Sequence, residues 1–298
     1  MIDKLTGLIL RSALRINPPL YKSRLARWAQ ENDLQRPAVV LSFDCDTDRD
    51  AKAALSLQTV FFKAGIPALY AVPGELLRDH WSIYQQLPRL GGKFINHGFR
   101  RHAAVDPDTG RVYSTLSYKG LSENAWREDI RKGHENITEL TGEAPTIFRT
   151  PHFGEFCQPK QLKLLYDWLS KLGYTYSSSV TPRFAVHHGS QYEPTNGLVE
   201  TPLSGCLAKP AQLIDSWGFV SAPDALGVEQ LVQALQQYLD LFECETPLLL
   251  NIYFDPADIV GETQVIDLLV SFASWAQPDY QAVTVGLKER SLVEVKRG

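Results

Sequence analysis

Residues 37–50 read Pro37-Ala38-Val39-Val40-Leu41-Ser42-Phe43-Asp44-Cys45-Asp46-Thr47-Asp48-Arg49-Asp50, and the two halves of this stretch have opposite character. Ala38 to Phe43 is a nearly continuous apolar run. Short runs of this kind read as strands covered on both faces, as in parallel sheets. The run then breaks into alternating acids, so a buried strand delivers carboxylates at its C-terminal end.

The same grammar repeats outward along the chain. Residues 51–64 have helical composition and stop at Gly65. Strands follow at 66–72, 94–96, 146–148, 174–177 and 247–254, with weaker candidates at 198–201, 219–220 and 282–285. Helices are expected at 121–141, opened by Ser122 as N-cap, and at 158–172, 227–242 and 263–275. Alternating strands and helices argue for parallel βα units. No Gly-x-Gly-x-x-Gly follows any strand, which disfavours a dinucleotide-binding open sheet. A (β/α) barrel of roughly seven parallel strands over residues 37–298 is expected, preceded by a helical extension over 1–36. In such barrels the strand C-terminal ends carry the chemistry.

Composition sets the bounds. An apolar share of 44% and a charged share of 21% are ordinary for a globular enzyme of 298 residues, which can bury a core without disulfides. A net charge of −4 gives no general attraction for nucleic acid, which is not expected as a partner. Cys45, Cys157, Cys206 and Cys244 have no metal or redox spacing. With no secretory signal or membrane-length apolar run, a cytoplasmic location with reduced thiols is expected. Residues 1–36 carry seven basic against three acidic side chains, and Leu5, Leu8, Ile9, Ala13 and Leu14 sit near helical spacing. Such a segment either packs on the domain that it precedes or touches an anionic membrane surface.

Polar residues gather at strand ends: Asp44 and Asp46, then His97 and His102 in Asn96-His97-Gly98-Phe99-Arg100-Arg101-His102, then Arg149, then Asp255. Acids after a strand also occur in solvated turns, and paired loop histidines are common at a surface. Together, one carboxylate and two imidazoles make a donor set that leaves coordination positions open for water and substrate. A buried Arg149 needs a carboxylate, and Asp44 is the expected partner.

In barrel order, Leu41-Ser42-Phe43-Asp44-Cys45-Asp46, the histidine segment and Phe148-Arg149-Thr150-Pro151-His152-Phe153-Gly154 resemble three motifs of the polysaccharide deacetylase (NodB-homology) family. Ile66–Gly74 and Leu172–Ser179 resemble the strands that lie between and after them, so the resemblance runs over about residues 38–260. It implies a distorted (β/α) barrel and a divalent metal, commonly zinc, used to hydrolyse an N-acyl group on an amino sugar or related amide. By the same resemblance Asp44 is the general base, and Asp46, His97 and His102 are the metal ligands. Arg149 holds Asp44, and the His152-Phe153 loop, with Tyr253, lines the substrate groove. Two departures stand out. The family spaces its histidines four apart, where this chain has Arg101. It also places an acid histidine where this chain has Asp255. An aspartate serves as an acid only when burial or a second carboxylate raises its pKa; His152, His187 and His188 are other candidate donors. The contrasting expectation is a catalytically silent barrel that binds carbohydrate or metal.

Overall fold

The computed structural model describes residues 17–284. The amphipathic residues between Leu5 and Leu14, and Val285, lie outside them. Ten strands are described: β1 (Ala38–Asp44), β2 (Leu69–Val72), β3 (Lys93–Asn96), β4 (Ala103–Val105), β5 (Val112–Ser114), β6 (Ile147–Phe148), β7 (Tyr176–Ser177), β8 (Tyr192–Thr195), β9 (Leu198–Glu200) and β10 (Leu249–Phe254). Eight of them form one sheet in the order β10-β1-β2-β3-β6-β7-β9-β8. Every neighbouring pair in it is parallel except β8 with β9. The expected seven parallel strands are therefore present, with β8 added at one edge.

The sheet curls into a barrel that strand pairing does not close. Between β9 and β10 the seam is held by Asn251, whose side-chain amide donates to the carbonyls of Thr201 (3.0 Å) and Pro202 (3.2 Å), while Ser204 N–H donates to the Asn251 carbonyl at 2.8 Å. A side-chain staple in place of a ladder is the distortion of this barrel. β1 and β10 are buried along their whole length, as their unbroken apolar runs require. The helices Asp50–Lys63, Glu123–Thr141, Pro159–Lys171, Val228–Glu243 and Thr263–Ser271 occupy the expected positions within a few residues. The helix Pro18–Glu31 buries Tyr21, Leu25, Trp28 and Ala29, and the Tyr21 hydroxyl accepts from Gly205 N–H at 3.0 Å.

Two expected strands are something else. Residues 217–221 form a π-helical turn. The Asp215 carboxylate accepts Gly218 N–H at 2.8 Å, a local bond that competes with extension. Residues 280–283 form a 3-10 turn because the Asp279 side chain accepts from the N–H groups of Gln281 and Ala282. The antiparallel hairpin β4–β5 directly follows His102 and was not anticipated.

Candidate active site

The end of β1 presents Asp44, which is 4% exposed, and Asp46 two residues later. Arg149 follows β6 and is fully buried. Its guanidinium donates to Asp44 Oδ1 at 2.6 Å, to Ser42 Oγ at 2.8 Å and to Ser178 Oγ at 3.2 Å. The expected pair is therefore made. A buried guanidinium with several oxygen partners is compensated, and Asp44 keeps its ion pair while one face meets the cavity.

His97 follows β3. Its Nδ1–H donates to the Arg149 carbonyl at 2.9 Å, which leaves the Nε2 lone pair directed away from the backbone. That Nε2 lies 3.5 Å from Asp46 Oδ1 and 3.8 Å from Asp44 Oδ2. His102 Nε2 lies 2.9 Å from the same Asp46 oxygen. The two rings stand edge to face with centroids 4.6 Å apart. One donor atom from each of Asp46, His97 and His102 falls within 4.8 Å of the other two. Tetrahedral donors at zinc-like distances lie about 3.4 Å apart, so the set fits a divalent cation with little movement. One feature is costly: His102 Nδ1 is buried without a hydrogen-bond partner.

The histidine spacing is resolved by where Arg101 goes. Its guanidinium points outward to Asp48, with two bonds of 2.9 Å, and to Asp79 at 2.7 Å, so the next residue turns in. Asp48 also takes His80 at 2.7 Å and is not part of the cluster. Gly98 makes the turn between the two histidines, at φ +80. A Cβ there would meet Asp129 Oδ2 at 2.4 Å and the Tyr118 hydroxyl at 2.6 Å. Asp129 fixes the loop by accepting from the N–H groups of Phe99 and Arg100 and from the Tyr118 hydroxyl.

Above the cluster is a cavity of about 290 Å³. Asp44, Asp46, His152, Phe153, Tyr253 and Asp255 all line it. The rings of Phe153 and Tyr253 are 4.8 Å apart, and the Arg149 guanidinium carbon lies 5.5 Å from each. His152 adopts φ +57 and bridges Ser114 Oγ (2.9 Å) and the His102 carbonyl (3.1 Å), tying the hairpin to the loop that carries His102. His187 and His188 are not in this cavity. They line a separate surface depression with Arg24, Arg27 and Trp28, and His188 stacks on Tyr192 at 4.2 Å.

The carboxyl groups differ in state. Burial opposes ionisation of Asp46, but the adjoining His102 and His97 imidazoles overcome it and hold the carboxyl well below its ordinary range. Burial likewise opposes charge on His97, and Asp44 and Asp46 outweigh it and raise the imidazole. On the far wall, burial pushes Asp215 up to about 6 despite bonds from Gly218 N–H and the Tyr253 hydroxyl. Burial, then the neighbouring Asp258 charge, pushes Asp255 well above its usual value. Asp215, Ser216 and Asp258 were not singled out from the sequence. They sit in segments without apolar periodicity, and no sequence signal marks them.

An incomplete parallel barrel with a carboxylate and two imidazoles converging at its strand C-terminal ends defines the class of protein. Residues 31–176 match the family model for polysaccharide deacetylase, and the three motifs lie within that match. Among solved structures, a Mycobacterium smegmatis protein assigned as a polysaccharide deacetylase is 17% identical, with a TM-score of 0.63 over 87% of this chain and 92% of that one. One from Pseudomonas aeruginosa PAO1 with the same assignment is 15% identical, with a TM-score of 0.62 over 88% and 93%. Puue allantoinase is 14% identical, with a TM-score of 0.60 over 83% and 86%. At these identities the likeness speaks to the fold. No curated protein matches the chain. Among the described residues, no helix is long and apolar enough to cross a membrane.

Proposed function

We propose that this chain is a metal-dependent hydrolase of a C–N amide bond that removes the acyl group from an N-acylated amino sugar or related amide. One observation carries the reading: Asp46, His97 and His102 converge on one another, and Asp46 opens into a cavity that Asp44, locked to Arg149, also lines. The nitrogen and oxygen donors suit zinc. A divalent cation held there would supply Lewis acidity toward the acyl carbonyl and toward a water.

The chain's own groups divide the remaining work. Asp44, oriented by Arg149, accepts a proton from the attacking water. Asp255 gives a proton to the departing nitrogen. The water oxygen joins the acyl carbon as the C–N bond breaks, and exchange with solvent resets both carboxyls. Phe153 and Tyr253 offer ring faces beside these carboxylates, a lining suited to a sugar ring with an amide substituent. A cavity of about 290 Å³ suits a single such ring.

The silent-barrel reading rests on Asp255 standing where the family offers a histidine. One experiment separates the two: metal content and hydrolysis of N-acetyl and N-formyl amino sugars, with Asp46→Ala as control. About one metal ion per chain plus turnover is expected. Bound metal with no amide hydrolysed would leave only a binding protein.

A further inference from the structure

Asp255 ends β10 and Asp258 lies one turn later, in the short helix Pro256–Ile259. Both line the cavity. The turn is pinned twice: Asp258 N–H donates to the Asp255 carbonyl at 3.1 Å, and Ala257 N–H donates to Asp50 Oδ1 at 3.0 Å. Across from it, the Ser216 hydroxyl donates to Asp255 Oδ2 at 2.7 Å and its oxygen accepts Asp255 N–H at 2.7 Å. The same hydroxyl and that of Ser221 neighbour Asp258 and favour its charged form. Ser216 has a single hydroxyl proton and cannot donate to both carboxyls at once. Two carboxyls one turn apart that meet the same hydroxyl and the same cavity repel when both are charged, which favours one proton on the pair.

We propose that Asp255, Ser216 and Asp258 form a proton-holding carboxyl pair that replaces an imidazole acid, with Asp255 the donor and Asp258 and Ser216 its positioning residues. The proposal deepens the amide-hydrolase reading and rests on it. The groups facing Asp255 are the carboxyls of Asp258, Asp46, Asp50 and Asp44, together with the Tyr253 hydroxyl; Arg49 is the cation that faces Asp258. Burial raises Asp258 as well, against its bonds from Ser221 and Ser216. In the reaction the shared proton passes from Asp255 to the leaving nitrogen, and the pair takes one proton back from solvent.

The test follows the Asp255 carboxyl by ¹³C NMR in zinc-loaded protein, with Asp255→Asn to assign the signal, alongside the pH profile of kcat/KM. Asp258→Asn removes the neighbouring charge. It should move the carboxyl titration and the alkaline limb down by at least ~1 pH unit, and Asp258→Glu should restore both. Ser216→Ala removes a donor to the charged form and should move the titration up. An unchanged titration in both Asp258→Asn and Ser216→Ala overturns the proposal. If no variant and no parent hydrolyses any amide, the hydrolase reading fails, while the carboxyl titration still decides whether the pair exists.

Discussion

On the β1–β3 side of the cavity, Asp46 lies against two imidazoles; on the β10 side, Asp215, Asp255 and Asp258 lie among other carboxyls. Both sides are partly shielded from water, yet their acids are displaced in opposite directions, Asp46 down and the others up. Desolvation acts alike on all of them, so the neighbours decide. A single cavity thus holds one side where a carboxylate is favoured, suited to a cation, and one side whose carboxyls hold their protons to higher pH, suited to an acid. Separated pKa values of this kind mark acid and base assignments.

The comparison can be broken by single substitutions. The largest effect falls on the ionised side. Asp46→Ala removes a proposed ligand and should reduce the proposed amide hydrolysis by on the order of 10³-fold. Steady-state assays at saturating zinc check this. Arg149→Met leaves Asp44 buried without its cation and should cost roughly 3–5 kcal/mol in urea unfolding. Gly98→Ala forces a Cβ onto Asp129 and Tyr118 at positive φ, and should cost about 3 kcal/mol while weakening zinc binding.

The side with raised carboxyls predicts a pH signature. Asp215 is raised from an ordinary value near 3.8 to about 6, so the folded state holds its proton more tightly than the unfolded state. Below pH 3.8 both states are protonated and nothing is lost. As pH rises toward 6 the folded state becomes progressively less favoured. Asp215→Asn escapes that loss. In metal-free protein its advantage over the parent should be near zero at pH 4 and reach about 3 kcal/mol at pH 7. An advantage independent of pH would contradict the displacement. The smallest effect belongs to the exposed network outside the cavity. Arg101→Ala should change stability by less than ~1 kcal/mol and leave zinc stoichiometry intact.

These two sides were unequally legible in the sequence. Asp44, Asp46, His97 and Arg149 each follow an apolar strand directly, so the period of the chain places them at one end of the barrel. His102 was placed through its resemblance to a family motif, and the outward turn of Arg101 explains its extra residue. On the far wall Asp255 alone follows a strand in this way. Asp215 and Ser216 sit in an irregular segment whose path is set by side-chain bonds to Tyr253 and Asp255, contacts 38 and 39 residues apart in sequence. The same physics explains the two misread strands, where Asp215 and Asp279 wind short apolar stretches into turns. Long buried strands announce themselves by composition; turns made by one carboxylate do not.

The central claim is that three side chains remote in sequence share one cation. Equilibrium zinc titration of the parent, Asp46→Ala, His97→Ala and His102→Ala tests it most directly. The account predicts about one tightly bound zinc per parent chain and loss of that binding in all three variants. A parent that binds no stoichiometric metal, or a His102→Ala variant that binds as tightly as the parent, would contradict it.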